Sequence, residues 1–300
     1  MVKIRNKIYK ELIKIWIYLM QKKILIIGGT GFIGYHLASR CKKLNWKIVS
    51  VSTKKPTKKR RLKKVRYKIF DISIKKNLAN IAKYKYDYVV NLGGYVDHIN
   101  KVKTYRAHYL GAKNLFKVFK NKKLESFIQI GSSMEYGTKK SPHRENVIGN
   151  PKGVYAKSKF LASKFLIECY KKYKFPVTVI RFYQLFGPNQ DTNRFIPILI
   201  NACLNKKEFA TSSGVQSRDF LYVDDVVELY SRISRSLAVS AEISGEIFNA
   251  GTNMPIEIKR LIKKIFISLG NEKEYKKIER QFTIYNTEGE IKIQQMNYEK

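Results

Sequence analysis

Two side chains with acid–base chemistry, Tyr155 and Lys159, lie four residues apart in the segment 153–159, GVYAKSK. Side chains at this spacing share one face of a helix. A positive charge beside a phenol favours the phenolate and lowers the phenol's pKa from its ordinary value of about 10. The pair is therefore a candidate catalytic acid–base group in which the lysine assists the tyrosine. A core tyrosine beside a solvated lysine has the same spacing, so the rest of the chain must decide between the two interpretations.

The segment 28–34, GGTGFIG, is a second candidate for chemistry. Three of its glycines are spaced three residues apart, directly after an apolar run and before a stretch of helical spacing. Glycines let the backbone approach a pyrophosphate, and a helix N-terminus favours its negative charge. The segment therefore predicts a nicotinamide dinucleotide site, with an ordinary glycine-rich turn as the alternative. The candidate cofactor-binding residues in this segment are Gly28, Gly31, Phe32, Ile33 and Gly34.

The end of the second predicted strand carries no acidic residue. NAD enzymes usually hold both ribose hydroxyls with Asp or Glu at this point, whereas this chain has Ser52 and Thr53, followed by Lys54 and Lys55. Hydroxyl groups and cations suit a 2′-phosphate, so NADP is the preferred cofactor and NAD remains possible. The abundance of lysine throughout the chain is a competing explanation for Lys54.

Further candidate cofactor contacts follow the third and fourth predicted strands. Asp71 ends the third strand, where its carboxylate has two possible roles: accepting a hydrogen bond from the adenine amino group, or capping a helix. The segment 91–94, NLGG, ends the fourth strand at the same edge of the sheet. The other candidates at these two strand ends are Ile72, Leu92, Gly93 and Gly94.

The elements that must position these residues alternate regularly between strand and helix. Short apolar runs bounded by turn residues predict buried parallel strands, and helical spacing follows several of them, most clearly over 102–121 and 154–174. This alternation predicts an α/β fold of the Rossmann type, with a doubly wound parallel sheet. The predicted strands are 22–29, 46–52, 65–72, 86–94, 126–133 and 176–183.

The composition allows a full hydrophobic core and raises the question of a polyanionic partner. The chain has 300 residues, 44% of them hydrophobic, and a formal net charge of +37. Such a charge often indicates nucleic-acid binding. Here the lysines are spread through the chain, the run 54–64 is the one dense cluster, and no zinc spacing or RNA-binding signature accompanies them. No specific nucleic-acid partner and no metal site are predicted.

Three observations concern the surroundings of the protein. Cys41, Cys169 and Cys203 lie far apart in the sequence, which predicts buried thiols in a reducing cytoplasm. The sequence contains no run of 18 apolar residues, so no membrane span is predicted. Residues 1–20 are apolar and basic in helical alternation, which suits an acidic membrane surface. Because Met20 directly precedes the first strand, we favour an N-terminal extension, with a start that is not native, over a membrane-binding segment.

Taken together, the motifs resemble the extended short-chain dehydrogenase/reductase family, and within it the NAD(P)-dependent nucleotide-sugar epimerase/dehydratase group. The resemblance covers about residues 22–255. In that family the residue matching Tyr155 exchanges a proton with a sugar hydroxyl or ketone while hydride passes to or from the nicotinamide. The family lysine, here Lys159, binds the ribose hydroxyls and lowers the tyrosine pKa. Ser132 matches the residue that hydrogen-bonds the same substrate oxygen, with Ser133 as the second candidate.

The segment 131–137, GSSMEYG, bears on the reaction that the resemblance implies. Sugar 4,6-dehydratases of the family carry acidic residues two or three positions before the tyrosine of the YG pair. Ser133 and Met134 stand there in this chain, and only Glu135 is acidic. We therefore expect no elimination. The resemblance favours a 4-keto-6-deoxy-sugar reductase, followed by a nucleotide-sugar 4-epimerase and then by a dinucleotide-binding protein without catalysis.

The remaining parts of the resemblance concern substrate and assembly. Gln184 replaces a family asparagine that often touches the sugar nucleotide, and Arg218 matches the family arginine that pairs with the substrate diphosphate. His108 also replaces a family asparagine, and we interpret it as a buried, hydrogen-bonded side chain. The helices over 102–121 and 154–174 match a family pair that forms a homodimer. We expect an N-terminal extension at 1–20, a cofactor domain at 21–183 and a substrate-binding part at 184–300. Within the substrate-binding part, about 220–252 is expected to return to the cofactor domain.

Overall fold

A parallel sheet forms the centre of the molecule. The computed structural model describes residues 21–95, 100–207, 213–239, 243–273 and 275, so the expected N-terminal extension and residues 276–300 lie outside the described part. Within that part the sheet has seven strands in the order β10-β6-β5-β4-β1-β2-β3, and every pairing in it is parallel. Its strands are β1 Lys23–Ile27, β2 Lys47–Ser52, β3 Val65–Ile69, β4 Tyr88–Asn91, β5 Ser126–Ser132, β6 Val177–Phe182 and β10 Ile247–Ala250.

The strands form a buried sheet because their side chains supply two cores at once. Successive residues of a strand point to opposite faces. In β1, Ile24 and Ile26 enter the core on one face, while Leu25 and Ile27 enter the core on the other. All four are at most 2% exposed, which explains why this strand is a continuous apolar run.

Helices cover both faces of the sheet. On one face Leu37, Ala38 and Cys41 of α1 pack with Val226 of α7; on the other, α4 and α5 contribute the apolar side chains. The arrangement confirms the predicted doubly wound parallel sheet. The helices are α1 Phe32–Lys43, α2 Ala79–Ala82, α3 Lys101–Tyr105, α4 Gly111–Phe119, α5 Gly153–Tyr173, α6 Phe195–Asn205, α7 Val223–Val239 and α8 Ile258–Ser268, and a π-helical turn, Arg106–Leu110, joins α3 to α4.

A smaller part follows β6 and is built from short strands paired over long sequence distances. Strand β7 (Gln184–Phe186) runs parallel to β9 (Phe220–Tyr222). Strand β8 (Ser217–Arg218) is antiparallel to β11 (Ile256–Glu257). Helices α6 and α8 share a third core. Between these elements, β10 returns to the main sheet and pairs with β6.

Two sequence expectations about burial can be compared with the structure. Cys41, Cys169 and Cys203 are buried and form no disulfide with one another, as expected for structural thiols. In the part of the chain that the structure covers, no helix has both the length and the apolar character needed to cross a bilayer.

Candidate active site

The glycine-rich turn joins β1 to α1 at the carboxyl edge of the sheet. Gly28 has φ +78°, and a Cβ on it would lie 2.9 Å from the carbonyl carbon of Leu92. A Cβ on Gly34 would lie 2.3 Å from the carbonyl oxygen of Gly28 and 2.5 Å from Cα of Gly29. Because no side chain fits at these contacts, α1 begins directly against the turn. The N-terminus of α1, where the first main-chain N–H groups have no acceptor within the helix, therefore lies at this edge of the sheet.

A cavity of about 470 Å³ lies at this edge, above the ends of β1, β2 and β4. A cradle of glycine backbone beside a helix N-terminus fits the pyrophosphate of a dinucleotide. Each candidate cofactor residue apart from the catalytic pair lines the cavity, namely Gly28, Gly31, Phe32, Ile33, Gly34, Ser52, Thr53, Lys54, Asp71, Ile72, Leu92, Gly93 and Gly94. Lys55, which follows Lys54 in the sequence, lines it too. The lining residues that sequence reasoning missed include Thr30, Thr57, Arg60, Phe70, Ala107 and Asp191.

The missed residues differ in how much signal the sequence carries for them. Thr30 lies inside the glycine motif, and Thr57 and Arg60 belong to the basic run 54–64, which was interpreted only as a charge cluster. For Asp191 the sequence held no signal, because it reaches the cavity from the loop after β7. When several strand ends line a cavity, the sequence reveals only those lining residues that belong to a contiguous motif.

The end of β2 combines hydroxyl groups with exposed lysine. Ser52 Oγ accepts a hydrogen bond from the Thr30 main-chain N–H (3.2 Å), and Thr30 Oγ1 donates to the Lys54 carbonyl (3.2 Å). These bonds fix the glycine turn against β2. Ser52 thus has a structural partner in addition to its place in the cavity wall.

The structure contradicts one of the two roles expected for Asp71, the capping of a helix. Its Oδ1 accepts a hydrogen bond from the Ser73 main-chain N–H (2.7 Å) in a turn, whereas the helical turn that follows, Lys75–Leu78, has Ile74 as its N-cap and no side-chain cap. The residue also lines the cavity, and a carboxylate has a second oxygen that can accept a further bond. The hydrogen bond to the adenine amino group therefore stays a prediction.

The three candidate catalytic residues come together beside the cavity. Ser132 ends β5, and Tyr155 and Lys159 lie on the first turns of α5. Lys159 Nζ donates to the Ile130 carbonyl (2.8 Å), two residues before Ser132 on the same strand. The Ser132 hydroxyl hydrogen-bonds the Tyr155 phenol. A hydroxyl, a phenol and an ammonium are thus placed around one point at the end of a buried strand, the arrangement a proton-transfer site requires.

The pKa of Tyr155 differs from the sequence expectation. Burial raises it, a hydrogen bond from Ser132 opposes that rise, and the charge of Glu135 adds to it. The predicted lowering of the Tyr155 pKa by Lys159 is therefore wrong, because desolvation of the phenolate outweighs the effect of the nearby cations. Burial also lowers the pKa of Lys159 to about 8, against the opposing effect of the Glu135 carboxylate.

Glu135, the one acid of the segment 131–137, is bonded within the protein. It is fully buried. Its Oε1 accepts from the Ser132 main-chain N–H (2.9 Å), and its Oε2 lies 3.0 Å from Arg181 Nε. With Ser132 as N-cap it forms a capping box for the turn 133–136. Both carboxylate oxygens are thus used in holding the loop.

The residues at the two positions where family dehydratases are acidic carry no carboxylate. Ser133 is buried and Met134 is 37% exposed. Ser132 Oγ accepts from the Met134 main-chain N–H (3.2 Å) in addition to its bond with Tyr155. Ser132 is therefore both cap and site residue, while Ser133 is held in the turn that follows it.

His108 connects the cavity with the catalytic group. It is buried, and its Nε2 is 3.2 Å from the Tyr95 carbonyl, which agrees with the expected buried and hydrogen-bonded histidine. A Cβ on Gly94 would lie 2.2 Å from His108 Cε1, so this glycine lets the ring pack against the cavity wall. The His108 ring stands edge-on to the Tyr155 ring at 5.1 Å. His108 lies in the π-helical turn Arg106–Leu110, and turns of this kind recur at functional sites.

The candidate substrate residues lie on the two short strand pairs. Gln184 is half-buried, and its main-chain N–H donates to the Asp219 carbonyl (2.9 Å). Arg218, also half-buried, immediately precedes Asp219 on the chain, and its Nη1 donates to the Ser217 carbonyl (2.9 Å). The buried Asp219 carboxylate accepts from the main-chain N–H groups of Thr252 and Asn253. Gln184 and Arg218 are therefore brought near each other by backbone pairing, while Asp219 fixes the loop behind them.

Comparison with known proteins decides the family. A model described as "NAD dependent epimerase/dehydratase family" matches residues 24–251. The chain belongs to this family. The resemblance read from the sequence motifs is confirmed at the level of the family.

Relatives within the epimerase/dehydratase family carry different activities in their names. A dTDP-D-glucose 4,6-dehydratase from Dictyostelium discoideum is 32% identical over 274 residues, covering 81% of this chain and 61% of the relative. A protein from Bacillus subtilis, named an uncharacterized UDP-glucose epimerase, is 28% identical over 223 residues, covering 69% of this chain and 70% of the relative. This chain thus spans about three fifths of the dehydratase's length, and its reaction has to be argued from its own residues.

A solved structure confirms the fold of the epimerase/dehydratase family for this chain. A dTDP-glucose 4,6-dehydratase from Bacillus anthracis, in complex with NAD, superposes with a TM-score of 0.78 at 21% identity, covering 93% of this chain and 88% of the other. At this identity the likeness supports the fold alone.

Proposed function

We propose that this protein binds a nicotinamide dinucleotide in the cavity and exchanges hydride with one carbon of a nucleotide-activated sugar, without eliminating water. The observation that carries the proposal is the group formed by Ser132, Tyr155 and Lys159 beside a glycine-lined cavity. When bound, the dinucleotide would supply the hydride acceptor or donor. The protein supplies the binding, the orientation and the proton transfer.

Each residue of the group has a separate task. Tyr155 moves a proton to or from the substrate oxygen. The single O–H proton of Ser132, which is given to the phenol in the structure, would turn to that oxygen once the substrate is bound. Lys159, already bonded to the Ile130 carbonyl, has two further N–H groups with which it would hold the ribose hydroxyls. Because burial raises the pKa of Tyr155, the phenol form is favoured, which suits proton donation to a ketone.

The absence of an acidic residue at positions 133 and 134 supports reduction or epimerisation over dehydration. Expelling water from a sugar requires an acid and a base in addition to the tyrosine. Ser133 and Met134 cannot act in this way, and Glu135 is engaged with Ser132 and Arg181. We therefore propose a 4-keto-6-deoxy-sugar reductase, and with it NADP as preferred cofactor, because Ser52, Thr53 and Lys54 replace the acid that favours NAD.

A nucleotide-sugar 4-epimerase is the second candidate, and a specific observation favours it. The Bacillus subtilis relative is named an epimerase, and the family is described as NAD dependent. An epimerase uses the same tyrosine and serine, returns the hydride within one turnover, and needs no carboxylate in the loop. The expected homodimer, the cytoplasmic location and the substrate-binding role of 184–300 stay predictions.

The test combines a cofactor titration with a panel of sugars. Purified protein is titrated with NADPH and NADH by fluorescence and then supplied with nucleotide-linked 4-keto-6-deoxy sugars. Net oxidation of NADPH by one keto sugar supports the reductase. Interconversion of two nucleotide sugars without net oxidation supports the epimerase, whereas a 4-keto-6-deoxy product formed from a 4-hydroxy sugar would contradict the whole proposal. Cofactor binding with no reaction in either assay would favour a binding protein without catalysis.

A further inference from the structure

The loop after β7 reaches back to the cofactor cavity. Its residues 187–191, GPNQD, are here called the strap. The strap is ordered by its own contacts: the Gln190 main-chain N–H donates to the Gly187 carbonyl (3.3 Å), and Gln190 Nε2 donates to the Leu185 carbonyl (2.8 Å). Its last residue, Asp191, lines the cavity.

Arg60 fastens the strap from the connection between β2 and β3. Arg60 is only 9% exposed and also lines the cavity. Its Nε donates to the Asn189 carbonyl (3.0 Å), and its Nη2 donates both to that carbonyl and to Asp191 Oδ1 (2.7 Å). A buried guanidinium with a carboxylate partner forms strong, charge-assisted bonds. Arg60 is therefore engaged by the strap.

A second attachment lies on α1, the helix that begins at the glycine turn. His36 Nε2 is 2.8 Å from the Pro188 carbonyl. The strap is thus held at one end by α1 and at the other by the β2–β3 connection. Both of these elements contribute residues to the cavity wall, so the strap joins two sides of the same cavity.

We propose that the strap closes over the bound dinucleotide and that the bonds of Arg60 must break before the cofactor can leave. The inference rests on the proposed function, since it needs a dinucleotide in the cavity. Arg60 also neutralises Asp191, whose carboxylate would otherwise repel the pyrophosphate. A reductase must open the strap in every turnover, whereas an epimerase can keep it closed.

The competing role for Arg60 is recognition of a 2′-phosphate, and the two roles make different predictions. If Arg60 only holds the strap, its loss should accelerate release of NADPH and NADH by the same factor. If Arg60 binds the 2′-phosphate, its loss should accelerate release of NADPH alone. In that case Asp191→Asn would slow NADPH release, because Arg60 would be freed for the phosphate.

The experiment measures cofactor release without any sugar. Protein loaded with NADPH or NADH is mixed in a stopped-flow instrument with excess NADP⁺ or NAD⁺, and the change in nicotinamide fluorescence gives the release rate. Arg60→Gln is expected to raise both rates about tenfold or more, the change that losing one charge-assisted bond produces. Asp191→Asn is expected to raise both rates by a smaller factor. Arg61→Gln, at the exposed neighbouring arginine, is the matched control and should leave both rates unchanged.

The outcomes separate this inference from the proposed function. If Arg60→Gln leaves both release rates unchanged, or raises the release rate of NADPH alone, the proposed role of the strap is wrong and the proposed function is unaffected. Should Arg60→Gln fail to fold, Asp191→Asn decides, because its carboxylate is 53% exposed and its replacement leaves the core untouched. Failure of the unaltered protein to bind either reduced cofactor overturns both proposals.

Discussion

The cavity proposed to bind the cofactor and the part proposed to bind the substrate, here called the substrate side, differ in how their residues are brought together. Most of the cavity wall comes from turns at the ends of adjacent parallel strands within residues 27–94. The substrate side depends on pairs such as Gln184 with Phe220 and Arg218 with Ile256, which join residues 36 to 38 positions apart on two-residue and three-residue strands. The first region is therefore built from local motifs and the second from long-range pairing.

This difference teaches where function can change without loss of the fold. The glycine turn is fixed by contacts that no Cβ can enter, at 2.3 Å in the case of Gly34. Gln184 and Arg218 lie on short strands that pair through the backbone with Phe220 and Ile256, and both residues are half-buried. We infer that the cofactor side preserves the chemistry while the substrate side selects the sugar, and four predictions test this division.

Replacing Tyr155 with Phe should have the largest effect, since it removes the proton donor and acceptor but keeps the ring packed against His108. We expect turnover to fall by roughly a factor of 10³, the scale of general acid–base catalysis. Cofactor affinity should stay nearly unchanged. Steady-state kinetics and fluorescence titration measure the two quantities. Tyr173→Phe, at a half-exposed tyrosine on the same helix, should behave like the unaltered protein, and full activity in Tyr155→Phe would end the proposed mechanism.

Replacing Glu135 with Gln tests whether this carboxylate is structural. The amide can still accept from the Ser132 main-chain N–H, but Arg181 loses its buried ionic partner. Breaking such a pair should lower the free energy of unfolding by about 3 kcal/mol, measured by urea denaturation. If the variant instead keeps its stability and loses its activity, Glu135 is a catalytic acid and the argument against dehydration fails. Glu168→Gln on α5, for which no ionic partner is recorded among the described residues, is a suitable control.

Most of the main sheet could be predicted from the sequence because its parallel strands are short, mainly apolar runs bounded by turn residues. The predicted strand 126–133 is observed as Ser126–Ser132 and the predicted strand 176–183 as Val177–Phe182. The short strands β7, β8, β9 and β11 could not be predicted in this way, because two or three residues carry no periodic signal. Their pairing depends on tertiary contacts such as those of Asp219.

The candidate site was predictable in its residue types but not in its electrostatics. Ser132, Tyr155 and Lys159 were recognisable because the motifs that carry them are contiguous. The direction of the pKa shift at Tyr155 was predicted wrongly, because spacing reveals a neighbouring charge but not the desolvation around the phenol. The bonds between Arg60 and Asp191 join residues 131 positions apart and left no trace in the sequence.

Lys159 should make stability depend on pH in a defined window. Burial lowers its pKa from 10.5 to about 8 in the folded chain, so between these two values the unfolded chain binds more protons than the folded one. The free energy of unfolding, relative to Lys159→Met, should therefore rise between pH 8 and pH 10.5, by up to about 3 kcal/mol. Lys157→Met, at an exposed lysine on the same helix, should show no such rise. Lys159→Met should also weaken cofactor binding, and unchanged affinity would remove its role at the ribose.

Replacing Arg218 with Lys should have the smallest effect and the most selective one. Lysine keeps the positive charge but loses the planar fork that can bind a diphosphate at two points. We expect KM for the nucleotide sugar to rise about tenfold, which corresponds to about 1.4 kcal/mol, with kcat and cofactor affinity nearly unchanged. Arg232→Lys, at an exposed arginine on α7, is the matched control. A fall in kcat without a change in KM would instead give Arg218 a role in the chemical step. The inference that the cofactor side preserves the chemistry while the substrate side selects the sugar would then be wrong.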